Sequence, residues 1–382
     1  MINKITKRFD NIDLIANHYG FEKMKTPTSH QEGDIFLNPE QKISILKQYQ
    51  NKYPKKKNKI SMLYNKQPIL TNKRLKNLNS RSVKNFNFDI IGTTNSVAEA
   101  TIIHTAIVVL GDEGFKDVFV NINSFGNRES VSNYRNELFN YYKNRNEELH
   151  PKCRNVHKKN VFDLLLCKHK ECQILKKSAP RSIYYLSDIS RKHLKDTIEY
   201  LESMNIIYNI DDLLISPSNH FSKIVFEIKH KDDKSGDDIL LGQGGRYDEL
   251  ARKITRKKKI SAVGISLEFN KRKTTKSSND KNKILIGEVP KFYFIQFGLE
   301  AKLKSLAIIE KIRDKKISVR QDLHIDKFTE QIEIAKQIGV PYALILGQEE
   351  VAKDTIIVKD LRRVTQKTIK IDNLLPYLKQ LN

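Results

Sequence analysis

Two groups of residues in this 382-residue chain have the types and spacing to do chemistry. The first is Cys153, His157, Cys167, His169 and Cys172, five soft or imidazole ligands within twenty residues. Cys167 and Cys172 are spaced Cys-x4-Cys, and a further Cys and His lie nearby, which suits a tetrahedral structural zinc. The second group is cationic. Residues 51–84 contain no acid and carry Lys52, Lys55, Lys56, Lys57, Lys59, Lys66, Lys73, Arg74, Lys76, Arg81 and Lys84, with Tyr53 and Tyr64 interleaved. A second cluster is Arg252, Lys253, Arg256, Lys257, Lys258 and Lys259, and a third is Lys271, Arg272, Lys273 and Lys276. Lysine is a compact point charge, so these runs point to phosphate-backbone contacts with little base selectivity. The plainer alternative is a solvated, lysine-rich surface. No Ser/His/Asp or Cys/His nucleophile arrangement stands out, and there is no P-loop. His104, on an apolar helical stretch, reads as a packed histidine.

Composition bounds the rest. Lys plus Arg number 69 against 45 for Asp plus Glu, a formal charge of +24, which favours a polyanionic partner, most often nucleic acid. With 39% hydrophobic residues, 15 Gly and 10 Pro, collagen-like, mucin-like and largely disordered chains are excluded. No apolar run reaches the ~18 residues of a spanning helix. Residues 1–10 hold no apolar stretch of the secretory-signal kind. Three cysteines make no disulfide scaffold, so a reducing compartment, cytoplasm or organelle matrix, is expected.

The elements that must position these groups follow from periodicity. Residues 4–19 have helical apolar spacing, Gly20 punctuates, and 21–28 read as a strand. Residues 37–49 read as a helix. Residues 59–70 and 83–92 alternate like antiparallel strands, with Phe86, Phe88 and Ile90 on one face. Residues 97–109 are an amphipathic helix and 115–123 a strand. Helices follow at 130–148, 168–177 and 190–204, then a strand at 206–208. Three more strands are read at 224–229, 239–242 and 262–267. Residues 273–283, without an apolar side chain, read as a linker. Beyond it, strands at 292–297, 317–320, 342–346 and 355–359 alternate with helices at 301–312, 327–338 and 374–381, a small α/β domain.

In this order the motifs resemble a class II aminoacyl-tRNA synthetase, and within that class the histidyl-tRNA synthetase family. The resemblance runs over nearly the whole chain. Residues 7–28, with Tyr19-Gly20-Phe21 and Thr26-Pro27, look like the first class II motif. Phe86 to Gly92 followed by Ala98-Glu99-Ala100 look like the strand and helix of the second. Asn123-Ser124-Phe125-Gly126 and Tyr134-Arg135-Asn136-Glu137-Leu138 look like the segment after it. Gly242-Gln243-Gly244-Gly245-Arg246-Tyr247-Asp248 is similar to the family's glycine-rich, histidine-specific strand. Ala262-Val263-Gly264 resembles the start of the third motif. Residues 340–347 and Val358-Lys359-Asp360-Leu361 resemble the anticodon-binding domain. The resemblance implies an α+β fold: an antiparallel-sheet core over residues 1–272 with a helical insertion at about 128–212, a linker at 273–283, and an α/β anticodon-binding-like domain at 284–382. It also implies a homodimer through the first motif.

The ligase chemistry joins a carboxylate to the α-phosphate of ATP, with Mg, and the charge building on phosphorus needs fixed arginines. The resemblance places these at four sites, and all four differ here. Thr71 stands where the second motif has its arginine, with Arg74 a stand-in. The motif Leu-Arg-Pro-Glu-Gly-Thr begins as Leu37-Asn38-Pro39-Glu40-Gln41, so its arginine is Asn38. The motif Leu-Val-Arg-Gly-Leu-Asp-Tyr-Tyr reads Leu214 to Phe221, with Ser216 for the arginine and His220-Phe221 for the tyrosines. The third motif ends on Lys271. Losing one transition-state donor costs roughly 3–4 kcal/mol, on the order of a hundred- to a thousand-fold in rate, and several losses leave little catalysis.

The expectation is therefore a synthetase-like protein with a degenerate site that binds tRNA or another structured RNA. Lys55, Lys56, Lys57, Lys59, Lys73, Lys76, Arg256, Lys257, Lys258 and Lys259 would hold the RNA. If substrate binding is retained, Glu40, Arg74, Arg81, Asp89, Gly244, Gly245, Arg246 and Tyr247 carry it. The alternatives are an active divergent histidine–tRNA ligase using ATP and Mg, with Arg74, Arg81 and Lys271 replacing the missing arginines, and a regulatory subunit of histidine biosynthesis. In the family the cysteine region is an inserted helical part that need bind nothing. No metal is expected, with Cys153, Cys167 and Cys172 the residual zinc candidates.

Overall fold

A computed structural model of the chain describes residues 11–24, 39–53, 60–67, 83–215, 222–232, 235–257, 260–270, 290–315, 317–323 and 325–381. Its first part runs α1 (Asn11–His18), β1 (Glu22–Lys23), α2 (Pro39–Lys52), β2 (Ser61–Gln67), β3 (Val83–Ile91), α3 (Val97–Asp112) and β4 (Val118–Gly126). A helical stretch follows: α4 (Arg128–Asn144), α5 (Val156–Asn160), α6 (Asp163–Leu166), α7 (Lys170–Lys177) and α8 (Asp188–Ser203). Then come β5 (Tyr208–Ile210), β6 (Ser222–Lys231), β7 (Asp238–Arg246), α9 (Asp248–Thr255) and β8 (Ala262–Asn270). The C-terminal part holds β9 (Phe292–Gln296), α10 (Leu299–Asp314), β10 (Val319–Gln321), α11 (Phe328–Ile338), β11 (Tyr342–Leu346), α12 (Gln348–Ala352), β12 (Thr355–Asp360), β13 (Thr365–Lys370) and α13 (Leu374–Leu381).

The first eight strands form one sheet in the order β1-β2-β3-β8-β7-β6-β4-β5. Only the outer pairs, β1 with β2 and β4 with β5, are parallel. Strand alternation sorts the side chains onto two faces. Phe86, Phe88 and Ile90 share the apolar face with Ile265, Leu267, Phe226 and Ile228. Against it lies α3, buried almost all round because α1 and α8 cover its outer side. The opposite face is polar in its middle and is capped at one end by α2 and α9, through Ile45, Leu46, Tyr49, Tyr247 and Ala251. Between β4 and the return to β5, α4 to α7 build a separate small core around Tyr134, Leu138, Tyr142, Leu164 and Leu165. Within the range expected for the insertion, α8 and β5 instead pack on the main sheet, α8 against α3 and β5 beside β4.

The C-terminal sheet has the order β10-β9-β11-β12-β13, parallel through the first three strands and antiparallel after. β9, the middle strand of its parallel part, is buried throughout, as a parallel strand covered on both faces must be. α10 and α13 cover one face and α11 the other. This domain docks on the first through α10. Leu306 joins the core of the first domain, and Glu310 accepts from Tyr19 and meets His104 Nε2 at 2.8 Å. His104 is thus a packed histidine at a domain contact. The linker at 273–283 lies outside the described residues. Among the described residues no helix is long and apolar enough to cross a membrane.

One buried ion pair ties the sheet to its helical layer. Arg246, at the end of β7, has no exposed side-chain surface and donates Nε to Glu99 Oε1 at 2.5 Å and Nη2 to Glu99 Oε2 at 2.8 Å. Its remaining donors reach the Thr93 and Asn95 carbonyls at 2.9 and 3.0 Å. His193 of α8 meets Glu99 from the other side at 2.7 Å. Burial alone pushes the Glu99 carboxyl up, yet the charges and hydrogen bonds of Arg246 and His193 more than offset this and hold it at about 2. A carboxyl depressed in the folded state stabilises fully above its unfolded pKa, and that contribution drains away as pH falls from about 4.5 toward 2. Glu99→Gln, which leaves Arg246 charged and buried without its partner, is expected to destabilise the chain by about 3–5 kcal/mol. In acid-unfolding curves the wild type should lose stability steadily between these pH values, while the variant's curve is flatter there; equal slopes would disprove the role of Glu99.

Candidate functional site

The polar face of the main sheet is built by register. Asn65, Asn87, Ser266, Gln243 and Glu227 stand directly opposite one another across β2, β3, β8, β7 and β6. Cross-strand pairs on one face touch. Asn87 donates to Asn65 at 3.1 Å, Ser266 to Asn87 at 2.5 Å, and Gln243 to Glu227 at 2.6 Å. Two residues along, β3 presents Asp89 between Leu63 and Gly264. A Cβ on Gly264 would run into Asp89 Oδ1 and Lys42 Nζ, so glycine is what leaves room for this group.

Lys42 of α2 reaches into that room. Its Nζ lies 2.5 Å from Asp89 Oδ1, with side-chain exposures of 2% and 1%. Tyr247 donates to the same oxygen at 2.7 Å, and Lys42 Nζ sits 5.4 Å from the Tyr247 ring centre. Burial and the Asp89 charge push the Tyr247 phenol well up, so it stays a donor. Asp89 Oδ2 and Asn85 Oδ1, both buried, receive no hydrogen bond among the described residues. Sequence reasoning does not single out Lys42. A signal for it exists, since Lys42 stands at the threonine of the motif that begins Leu37-Asn38-Pro39-Glu40.

Sequence-expected site residues divide in three. Asn38, Thr71, Ser216, Lys271, Arg74 and Arg81 lie outside the described residues, as do Lys55, Lys56, Lys57, Lys59, Lys73, Lys76, Lys258, Lys259 and the side chain of Glu40. Asp89 lies on the polar face, already salt-bridged. Gly244, Gly245, Arg246 and Tyr247 are structural in their contacts. A Cβ on Gly244 would sit 2.5 Å from the Phe226 ring and 2.6 Å from the Gly264 carbonyl, so strand packing demands glycine. Gly245 pairs with Gly264 at the same close crossing. The resemblance gives Arg246 and Tyr247 a place in substrate binding if that binding is retained; each is fully buried here, with its polar atoms bonded to Glu99 or Asp89.

The excess charge gathers elsewhere. A cleft of about 1560 Å³ opens between the small helical core and α9. Among the described residues its walls carry Arg128, Arg135, Lys158, Lys159, Lys223, Arg252, Lys253, Arg256 and Lys257 against Glu129 and Glu249 as the acids. Glu249 is shared by Arg128, at 2.8 Å, and Arg252, and Lys223 is held by Asp248 at 2.7 Å. Lys257 donates to the Tyr53 carbonyl at 3.1 Å. Arg135 stacks over Phe162 at 5.6 Å, with its guanidinium at the cleft. Arg252, Lys253, Arg256 and Lys257 belong to the cluster expected from charge alone; the others come from segments far apart in sequence.

The cysteine region also converges. Ligand atoms of Cys153, Cys167, His169 and Cys172 all lie within 4.8 Å of one another, while His157 packs on Phe139 and stays outside the group. Burial alone works to raise the Cys167 thiol, but hydrogen bonding from His169 and the neighbouring thiols brings it down to about 7.

A mostly antiparallel sheet with a helical layer, a helical insertion and a C-terminal α/β domain is the architecture of a class II aminoacyl-tRNA synthetase. Residues 295–381 match the anticodon binding domain family. The chloroplastic histidine–tRNA ligase of Porphyra purpurea is 26% identical over 98% of this chain and 88% of that protein. The histidine–tRNA ligase of Bacillus velezensis is 25% identical over 98% and 89%. Apo histidyl-tRNA synthetase of S. aureus superposes with a TM-score of 0.52, at 18% identity, over 96% of this chain and 93% of the other. Over nearly its whole length the chain is thus similar to histidine–tRNA ligases, at about a quarter of its residues identical.

Removing Lys42 strands a buried carboxylate. Lys42→Met is expected to cost about 3–5 kcal/mol in urea unfolding, and Lys42→Met with Asp89→Asn to recover most of it. Additive losses in the double variant would show that the two side chains are not coupled.

Proposed function

We propose that this chain binds tRNA, or a structured RNA like it, and that its capacity to activate histidine is degenerate. The observation that carries this reading is a division of charge. Both carboxylates named on the polar sheet face are held from within, Asp89 by Lys42 and Glu227 by Lys229 at 2.9 Å, while further cations line a cleft beside it. A carboxylate that already holds an ammonium of its own chain is poorly placed to hold that of a substrate. A cleft with many cations and few acids attracts a phosphate backbone. The sequence departures at Asn38, Thr71, Ser216 and Lys271 point the same way. The anticodon-binding domain supports tRNA as the RNA, and a homodimer through residues 7–28 accompanies this reading.

A second reading is an active, divergent histidine–tRNA ligase with ATP and Mg. It is favoured by the activity named for the relatives and by Asp89 Oδ2, a buried acceptor without a hydrogen bond among the described residues that a substrate ammonium would satisfy. Histidine-dependent pyrophosphate exchange separates the two. The first reading expects exchange at background; robust exchange would establish the second.

RNA binding is tested on its own by filter binding against tRNA between low and physiological salt. Affinity should fall steeply with salt. Lys158→Ala with Lys159→Ala and Lys253→Ala should weaken binding across sequences and flatten the salt dependence by roughly 1 for each phosphate no longer neutralised. Unchanged affinity and slope in that triple variant would remove the cleft from the interface.

A further inference from the structure

The four ligand atoms in the small helical core are arranged as a metal would require. Cys153 Sγ lies 3.4 Å from Cys167 Sγ and 3.4 Å from His169 Nδ1, and Cys167 Sγ lies 3.1 Å from His169 Nδ1. Cys172 Sγ completes the set within 4.8 Å of the others. With Zn–S near ~2.3 Å and Zn–N near ~2.0 Å, the edges of a tetrahedral site come to about 3.5–3.8 Å. The sulfurs are too far apart for a disulfide, whose bond is about 2.05 Å. The ligands come from three places: Cys153 from the 3-10 turn Pro151–Cys153, Cys167 from the end of α6, and His169 and Cys172 from the cap and first turn of α7.

A second, independent observation is the weakness of the scaffold. Apart from α4, helices of three to eight residues make up residues 146–177. Isolated helices so short do not hold themselves, and small cores without enough apolar burial use a staple. The His169 ring is already oriented. The His150 ring stacks on it at 3.8 Å with an interplanar angle of 10°, leaving Nδ1 aimed at the sulfurs.

We propose that Cys153, Cys167, His169 and Cys172 form a Cys3His structural zinc site that staples this helical core. The three sulfurs bind as thiolates, releasing their protons to solvent as zinc binds, and His169 binds through Nδ1 in its neutral form. Zinc with three thiolates leaves one net negative charge. Lys152, Arg154, Lys168 and Lys170, each next to a ligand in sequence, offset it.

The full chain, purified with reductant and without added chelator, should contain stoichiometric zinc by atomic emission. Replacing zinc with Co(II) should give thiolate-to-cobalt charge-transfer bands and the intense visible bands of a tetrahedral site. His169→Ala should keep the cobalt–thiolate bands but alter the visible ones and weaken metal retention at least ten-fold, whereas His157→Ala should leave both unchanged. Chelation should lower the unfolding temperature of the wild type. Wild-type protein without zinc that gives no tetrahedral cobalt spectrum, with three thiols freely titratable, would overturn the proposal. So would a Cys153–Cys167 disulfide in protein prepared under reductant.

Discussion

The Arg246–Glu99 pair is the interaction on which the rest of the first domain depends. Burying a guanidinium and a carboxylate completely costs several kcal/mol of desolvation for each, and only a complete set of partners makes that tolerable. Arg246 has such a set: two oxygens of Glu99 and two backbone carbonyls just before α3. The pair therefore fixes where α3 begins relative to the end of β7. Neighbouring residues extend the same device. Tyr247 turns to the other face and holds Asp89 of β3, while Asp248 accepts from the Ala262 amide at 3.0 Å and holds Lys223. In three successive side chains β7 is clamped to the helical layer, to β3, to β8 and to β6.

This clamp changes what the Gly-Gly-Arg-Tyr-Asp segment signifies. As a motif it suggests substrate recognition. In its contacts it is a joint. The same joint sets up the polar face, because Tyr247 and Gly264 together shape the space into which Lys42 reaches. A buried lysine on a buried aspartate is held there by the absence of water as much as by attraction: neither charge has a more favourable place to go once α2 and α9 close that end of the sheet. The neutralised Asp89 is thus a consequence of packing.

Much of the architecture is legible from periodicity. Phe86, Phe88 and Ile90 alternate with Asn85, Asn87 and Asp89, and that alternation alone separates the apolar face from the polar one. The extent of β7 is not legible. Its read span, 239–242, stops where the glycines begin, because glycine lowers strand propensity, yet the tight crossing with β8 and Phe226 demands those glycines and carries the strand on to Arg246. The site is legible only in part. Charge runs are visible in sequence, but a cleft assembled from Arg128, Arg135, Lys158, Lys223 and Lys253 draws on four separate segments, and no linear pattern joins them. Lys42 is hidden for a different reason. A lysine in the first turn of a helix reads as surface, and only the tertiary closure of α2 over β3 buries it.

The placement of cations also bears on how the chain holds a polyanion. Where a cation is wrapped by an acid, as Lys42 is by Asp89 and Lys223 by Asp248, its field at a distance is that of a dipole and falls off quickly. Arg128 and Arg252 share the single Glu249, so their group keeps a net positive charge, and Lys158, Lys159, Lys253 and Arg256 add to it without a described salt-bridge partner among the residues of the cleft. The field that reaches solvent is therefore set by the cleft walls. Those walls come from two bodies, α9 of the main domain and the small helical core that carries Lys158 and Lys159. Anything that fixes the helical core in place fixes the width of the cleft, and with it the spacing of phosphates it can accept. The sulfur and imidazole cluster lies in that same small core, directly before and after the segment bearing Lys158 and Lys159, so the rigidity of the cluster and the geometry of the cleft are one mechanical problem.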